Sequence, residues 1–118
     1  MDFKIVYYKD NSGNSPIEEF LLELKRSNNP LAEQALKGLE KLKKRVYHKE
    51  PLSKYLELGL WELRIKAGSN ILRTIYTFEK GQIIILLHIF IKKQQKTPAR
   101  ELEIARNRLK QLKRKKEQ

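Results

Sequence analysis

The chain has 118 residues, of which 40% are hydrophobic; that suffices for one modest core, so a single domain over 1–118 is expected. Its 26 Lys+Arg against 14 Asp+Glu give a formal net charge of +12, a field that attracts phosphate and puts a nucleic acid ahead of a membrane as partner. Cysteine is absent and histidine occurs twice, which excludes disulfides and thiolate metal sites, suits a reducing cytoplasm, and leaves no metal or other cofactor expected.

In chain order, Phe3 to Tyr8 is rich in β-formers and precedes the turn-rich stretch Asp10 to Ser15, predicting a first strand. Ser15, Pro16 and Glu18 fit N-cap, first helical position and capping box, and Ile17, Phe20, Leu21 and Leu24 then recur on one helical face. Asn29-Pro30 opens a second helix with Leu31, Ala35, Leu39, Leu42 and Val46 as its apolar stripe, and Pro51 marks its latest end. From Leu60 the period changes to two: Trp61, Leu63 and Ile65 alternate with Glu62, Arg64 and Lys66, as in a strand with one buried face. Ile71 to Glu79 is a second such strand, and Lys80-Gly81 turns the chain into a third, Ile83 to Ile91, apolar on both faces and so central. Thr97-Pro98 starts a last helix with Leu102, Ala105, Leu109 and Leu112 facing inward, followed by a basic helical tail at about 111–118.

The order β-α-α-β-β-β-α describes an α+β fold, a mainly antiparallel sheet with an N-terminal helical hairpin packed on it and a C-terminal helix. The basic excess is built late: residues 1–36 carry 4 basic and 6 acidic groups, residues 37–91 carry 11 and 5, and residues 92–118 carry 11 and 3. The longest apolar run, Ile83 to Leu87, is too short to span a bilayer, and the first residues lack a signal-peptide pattern. A protein acting in the cytoplasm is expected.

No glycine-rich phosphate loop, nucleophile elbow or telling pair of carboxylates is present, so any chemistry must use basic groups. The meander gathers Arg64, then Arg73 and Tyr76, then His88, Phe90 and Lys92, with Lys93 just beyond. His88, Phe90 and Lys92 share parity; Arg73 and Tyr76 do not, and face opposite ways unless a bulge intervenes. Cleaving RNA through its own 2′-hydroxyl needs a proton acceptor, cations for the charge gathering on phosphorus, and a donor for the leaving 5′-oxygen. Arg supplies a forked, permanent cation, and a Lys among like charges can exchange protons. For Arg73 the alternative is burial beside a carboxylate; for His88, a core histidine with a satisfied hydrogen bond. Trp61 and Phe78 read as core aromatics.

The stretches GLWELRI (Gly59 to Ile65), ILRTIY (Ile71 to Tyr76) and LLHIFIKKQQKTP (Leu86 to Pro98) together resemble the RelE/ParE superfamily, nearest its HigB or phage Gp49-like branch. The resemblance implies a RelE-like fold and a toxin that cleaves mRNA in the decoding site of the ribosome, an endoribonuclease with contacts to 16S rRNA. It also implies a helix-turn-helix HigA-type antitoxin as partner, in a hetero-oligomer that binds operator DNA through the antitoxin. Carried over by motif, Arg64, Arg73, His88 and Lys93 are the catalytic candidates, and Lys92, Lys93, Lys96, Tyr76 and Phe90 the RNA-binding ones. RelE enzymes have a tyrosine on the final helix where Ala99 stands here, which leaves His88 or Tyr76 to move a proton or stack a base. The other readings are a ParE-like gyrase inhibitor that cuts no RNA, and a plain RNA-binding module.

Overall fold

A computed structural model describes residues 2–92 and 96–117. The chain runs β1 (Lys4–Tyr7), α1 (Pro16–Ser27), α2 (Asn29–Lys41), a 3-10 turn at Arg45–Tyr47, β2 (Ser53–Glu57), β3 (Leu60–Ala67), β4 (Asn70–Glu79), β5 (Ile83–Lys92) and α3 (Ala99–Glu117). The strands form one sheet in the order β1-β5-β4-β3-β2, antiparallel except for the parallel seam between β1 and β5. The α+β class and the packing of its elements are as the sequence predicts, with one strand more. That strand, β2, reads SKYLE and carries no clean alternation; its pairing with β3, Ser53 opposite Leu63 and Tyr55 opposite Trp61, makes it a strand.

The helical hairpin is set by local chemistry. Glu18 and Glu19 in the first turn of α1 and Lys25 and Arg26 in its last complement the helix dipole. The expected capping box does not form: Pro16 takes the first turn, but the Ser15 side chain makes no cap hydrogen bond. Asn28 does more than the sequence suggests. Its backbone N–H closes α1 on the Leu24 carbonyl at 2.7 Å, while its side chain accepts from the Leu31 N–H at 3.3 Å and caps α2. α2 ends at Lys41, well before Pro51, and Val46, expected on its apolar stripe, is 61% exposed beyond it. The helix lies close on β3, since a Cβ on Gly38 would stand 2.4 Å from Ile65 Cδ1.

Each face of the sheet carries its own core. On one, Ile17, Leu24, Leu31, Ala35 and Leu39 of the hairpin meet Leu63, Ile65, Leu72, Tyr76, Ile84 and Leu86. On the other, Leu102, Ala105, Leu109 and Leu112 of α3 meet Leu60, Ile75, Ile85, Leu87 and Phe90. β5 lies between β1 and β4 under both layers, which accounts for its apolar residues at every parity. Its register against β4 shifts once: Ile75 faces His88 and Tyr76 faces Leu86, leaving Leu87 as the extra residue of a bulge. Leu87 and His88 therefore both point toward α3, and past the bulge the even-numbered positions, His88, Phe90 and Lys92, take over that face.

Candidate active site

Above the apolar part of the α3 face, the three long strands put polar residues in register. Arg64 on β3 lies opposite Arg73 on β4, which lies opposite Phe90 on β5; one step along, Glu62, Ile75 and His88 are aligned. A step the other way, Lys66 and Lys92 flank Ile71. Arg64, Arg73, His88, Phe90 and Lys92 thus share one face.

Glu62 organises this face. Its carboxylate is fully buried, 0% exposed, and accepts a hydrogen bond from Arg64 Nε at 3.0 Å. Arg73 Nη1 stands 3.6 Å from the same oxygen, and Thr97, just before α3, donates its hydroxyl to the other. Two guanidiniums sharing one carboxylate leave the cluster cationic, which is what makes it able to receive a phosphate. The two arginines are not equivalent: the Arg64 side chain is 30% exposed, whereas Arg73 is 1% exposed behind it. Burial pushes the Arg73 guanidinium below its ordinary value, Glu62 opposes that, and Arg64 adds to it; it remains charged throughout the physiological range.

His88 belongs to a second polar group, with α3. Its Nε2 lies 2.8 Å from Glu101 Oε1, and its Nδ1 is 3.4 Å from Arg108 Nη1, which also donates to the Leu87 carbonyl at 2.7 Å. These partners assign a neutral ring with the proton on Nε2, so both nitrogens are engaged inside the protein. Burial holds the His88 pKa below its ordinary value, against the opposing effect of Glu101. The unfolded ring therefore binds a proton at a higher pH than the folded one, and stability must fall as pH drops from about 6.5 through the lower folded pKa. Between about pH 7.5 and pH 5 the wild type is expected to lose more thermal stability than His88→Gln; equal losses would show that the fold does not hold the ring neutral.

The remaining expected residues divide. Lys96 is exposed on the approach to α3, and Lys93 lies outside the described residues. Tyr76 has to be corrected. The bulge is on β5 and leaves β4 regular, so Tyr76 faces the hairpin core, fully buried, with its hydroxyl donating to Ser53 Oγ at 2.9 Å and its pKa pushed up to about 12 by burial. It has no surface to offer a base. Phe90, on the correct face, is 6% exposed and stacked on His88 with ring centroids 5.4 Å apart, so it supports the histidine rather than a nucleotide. Three residues not expected at the site, Thr97, Glu101 and Arg108, complete it. The last two had a signal: Glu101, Ala105, Arg108 and Leu112 recur at helical spacing, which places two charges among the inward-facing positions of α3.

A cluster of basic side chains on a mixed sheet, roofed by a helix at one end, defines a small α+β protein with a basic surface. The family model for phage-derived Gp49-like proteins (DUF891) matches residues 19–110, and the chain belongs to that family, one of the RelE/HigB type of toxins that pair with antitoxins. No curated protein matches the chain. Among the described residues, no helix is long and apolar enough to cross a membrane.

Proposed function

We propose that this toxin is a ribosome-dependent mRNA endoribonuclease, neutralised by a helix-turn-helix antitoxin of the HigA type and acting in the cytoplasm. The observation that carries the reading is the Arg64–Glu62–Arg73 cluster, a rigid cation on the wall of a regular sheet with Lys66 and Lys92 on the same face and Lys96 next in the chain to Thr97, which bonds Glu62. In this reading Arg64, the exposed member, hydrogen-bonds the scissile phosphate and stabilises the charge that gathers there as the 2′-oxygen attacks and the 5′-oxygen leaves. Arg73 and Glu62 are positioning residues that fix Arg64 through the shared carboxylate. The lysines hold flanking phosphates. With both ring nitrogens of His88 engaged inside the protein, the lysines rather than the histidine are left to take the 2′-hydroxyl proton and to return one to the leaving 5′-oxygen.

The burial of Arg73 favours one rival, a ParE-like gyrase inhibitor for which this cluster would be structural. Induction of the chain without an antitoxin distinguishes the two. Protein synthesis is expected to stop within minutes while plasmid supercoiling stays unchanged; continued translation with altered supercoiling would replace the nuclease reading by the gyrase one.

A further inference from the structure

The opposite face of the sheet has a feature that the proposed cleavage site does not use. Phe78 is the hub of an aromatic cluster, its ring centroid 5.8 Å from Phe3, 5.1 Å from His48 and 5.7 Å from Trp61, all edge-on. The sequence pattern places Trp61 and Phe78 in the core, yet both are only half-buried. The planes of those two rings stand at 82°, so together they form an L-shaped notch rather than a closed stack. They line an open concavity of about 440 Å³ with Phe3, Arg45, His48 and Glu79, within the range of roughly 300–1,000 Å³ that accommodates a small organic ligand.

The rim and its surroundings say what kind of ligand. The Arg45 guanidinium lies over the Phe3 ring at 5.2 Å, while the Glu79 carboxylate is drawn to Lys116 at 2.8 Å, so a flat group in the notch would meet a cation and π-surfaces together. Arg45 belongs to the stretch Lys41 to Glu50, KLKKRVYHKE, which carries five basic residues against two acidic ends of the neighbourhood, Glu40 and Glu50. Lys41, Lys44, Arg45 and Lys49 are exposed there, and Tyr47 beside them lies under Lys41 Nζ at 5.7 Å. A run of cations interleaved with aromatic rings, next to a half-open aromatic notch, combines the two elements by which single strands are held: charge for the backbone and ring faces for the bases.

We propose that this concavity is a second RNA-binding site, taking one unstacked base of a single strand against Trp61 and Phe78 while Arg45 and Lys49 engage the adjoining phosphates. It lies on the hairpin side of the sheet, away from Arg64, and goes beyond the cleavage reading without resting on it.

Trp61 is the single tryptophan, so its fluorescence reports the notch directly. The full chain is titrated, without ribosomes, with a single-stranded adenine RNA hexamer, and in parallel with adenosine monophosphate. The hexamer is expected to quench Trp61 saturably, and Arg45→Glu, which replaces a phosphate-binding cation by an anion, to weaken that binding at least severalfold. Arg100→Glu, the same charge change at an exposed position on α3, is expected to shift binding far less. Phe78→Leu, which keeps an apolar side chain, is expected to reduce the quench with thermal unfolding near wild type. Three outcomes overturn the proposal: no quenching by the hexamer, equal weakening by Arg45→Glu and Arg100→Glu, or quenching by the mononucleotide as tight as by the hexamer.

Discussion

Replacing Arg64 by Ala is expected to lower mRNA cleavage on programmed ribosomes by about 100- to 1,000-fold while leaving the protein folded. The magnitude is that of removing one preorganised donor from a site where charge develops on oxygen. The fold should survive because Glu62 keeps Arg73 and Thr97 as partners, and because the Arg64 side chain, 30% exposed, leaves little behind that water cannot fill. Arg64→Lys should recover part of the rate, since it restores the charge without the forked pair of donors. Single-turnover cleavage and thermal unfolding of the same preparations decide the matter. A folded Arg64→Ala protein that cuts at the wild-type rate would place the chemistry elsewhere.

Arg73→Ala should act through stability instead. It strips a cationic partner from a carboxylate with no access to water, and breaking one side of a buried pair costs on the order of 3–5 kcal/mol, a large share of the roughly 5–15 kcal/mol that holds a domain of this kind together. The companion substitution Arg73→Met with Glu62→Gln removes both charges at similar volume, and should recover much of the loss because no lone ion is left buried. Urea unfolding of the two single variants and the double variant gives the coupling between the residues. Independent, additive effects would show that the 3.6 Å approach of Arg73 to Glu62 carries no energy.

From the sequence, Arg73 stands open between a phosphate contact and a buried pair, because alternation gives the face on which a residue lies but not what roofs it. The roof comes from Thr97 and the start of α3, more than twenty positions further along the chain. His88 is undecided for the same reason: Glu101 and Arg108, which occupy its two nitrogens, reach it only through tertiary packing. Where a signal is local, the sequence suffices, as with the Pro16 helix start, the period-two pattern of β3, and the stripe of Leu102, Ala105, Leu109 and Leu112. Where it is not, as with β2, whose pairing is imposed by β3, no pattern marks it. The β5 bulge also sits within an unbroken apolar run, so nothing in Leu86-Leu87-His88 shows that parity changes there.

The parallel seam also bears on how the molecule is assembled. Lys4 pairs with Ile83 and Tyr7 with Leu86, partners 79 residues apart, whereas the β3–β4 and β4–β5 pairings join neighbours through short turns. Contacts between near neighbours form early; those that close a long stretch of chain wait, because the entropy of closure is spent before any pairing returns it. The meander and the helical hairpin can each form from their own short stretch, and β1 is expected to dock last. Until it does, β5 is itself an edge, its apolar backbone unpaired along one side and open to any other extended chain. The first few residues thus act as the closing stave of the sheet, and a chain trimmed at Tyr7 would keep all its site residues yet leave β5 as an open apolar edge.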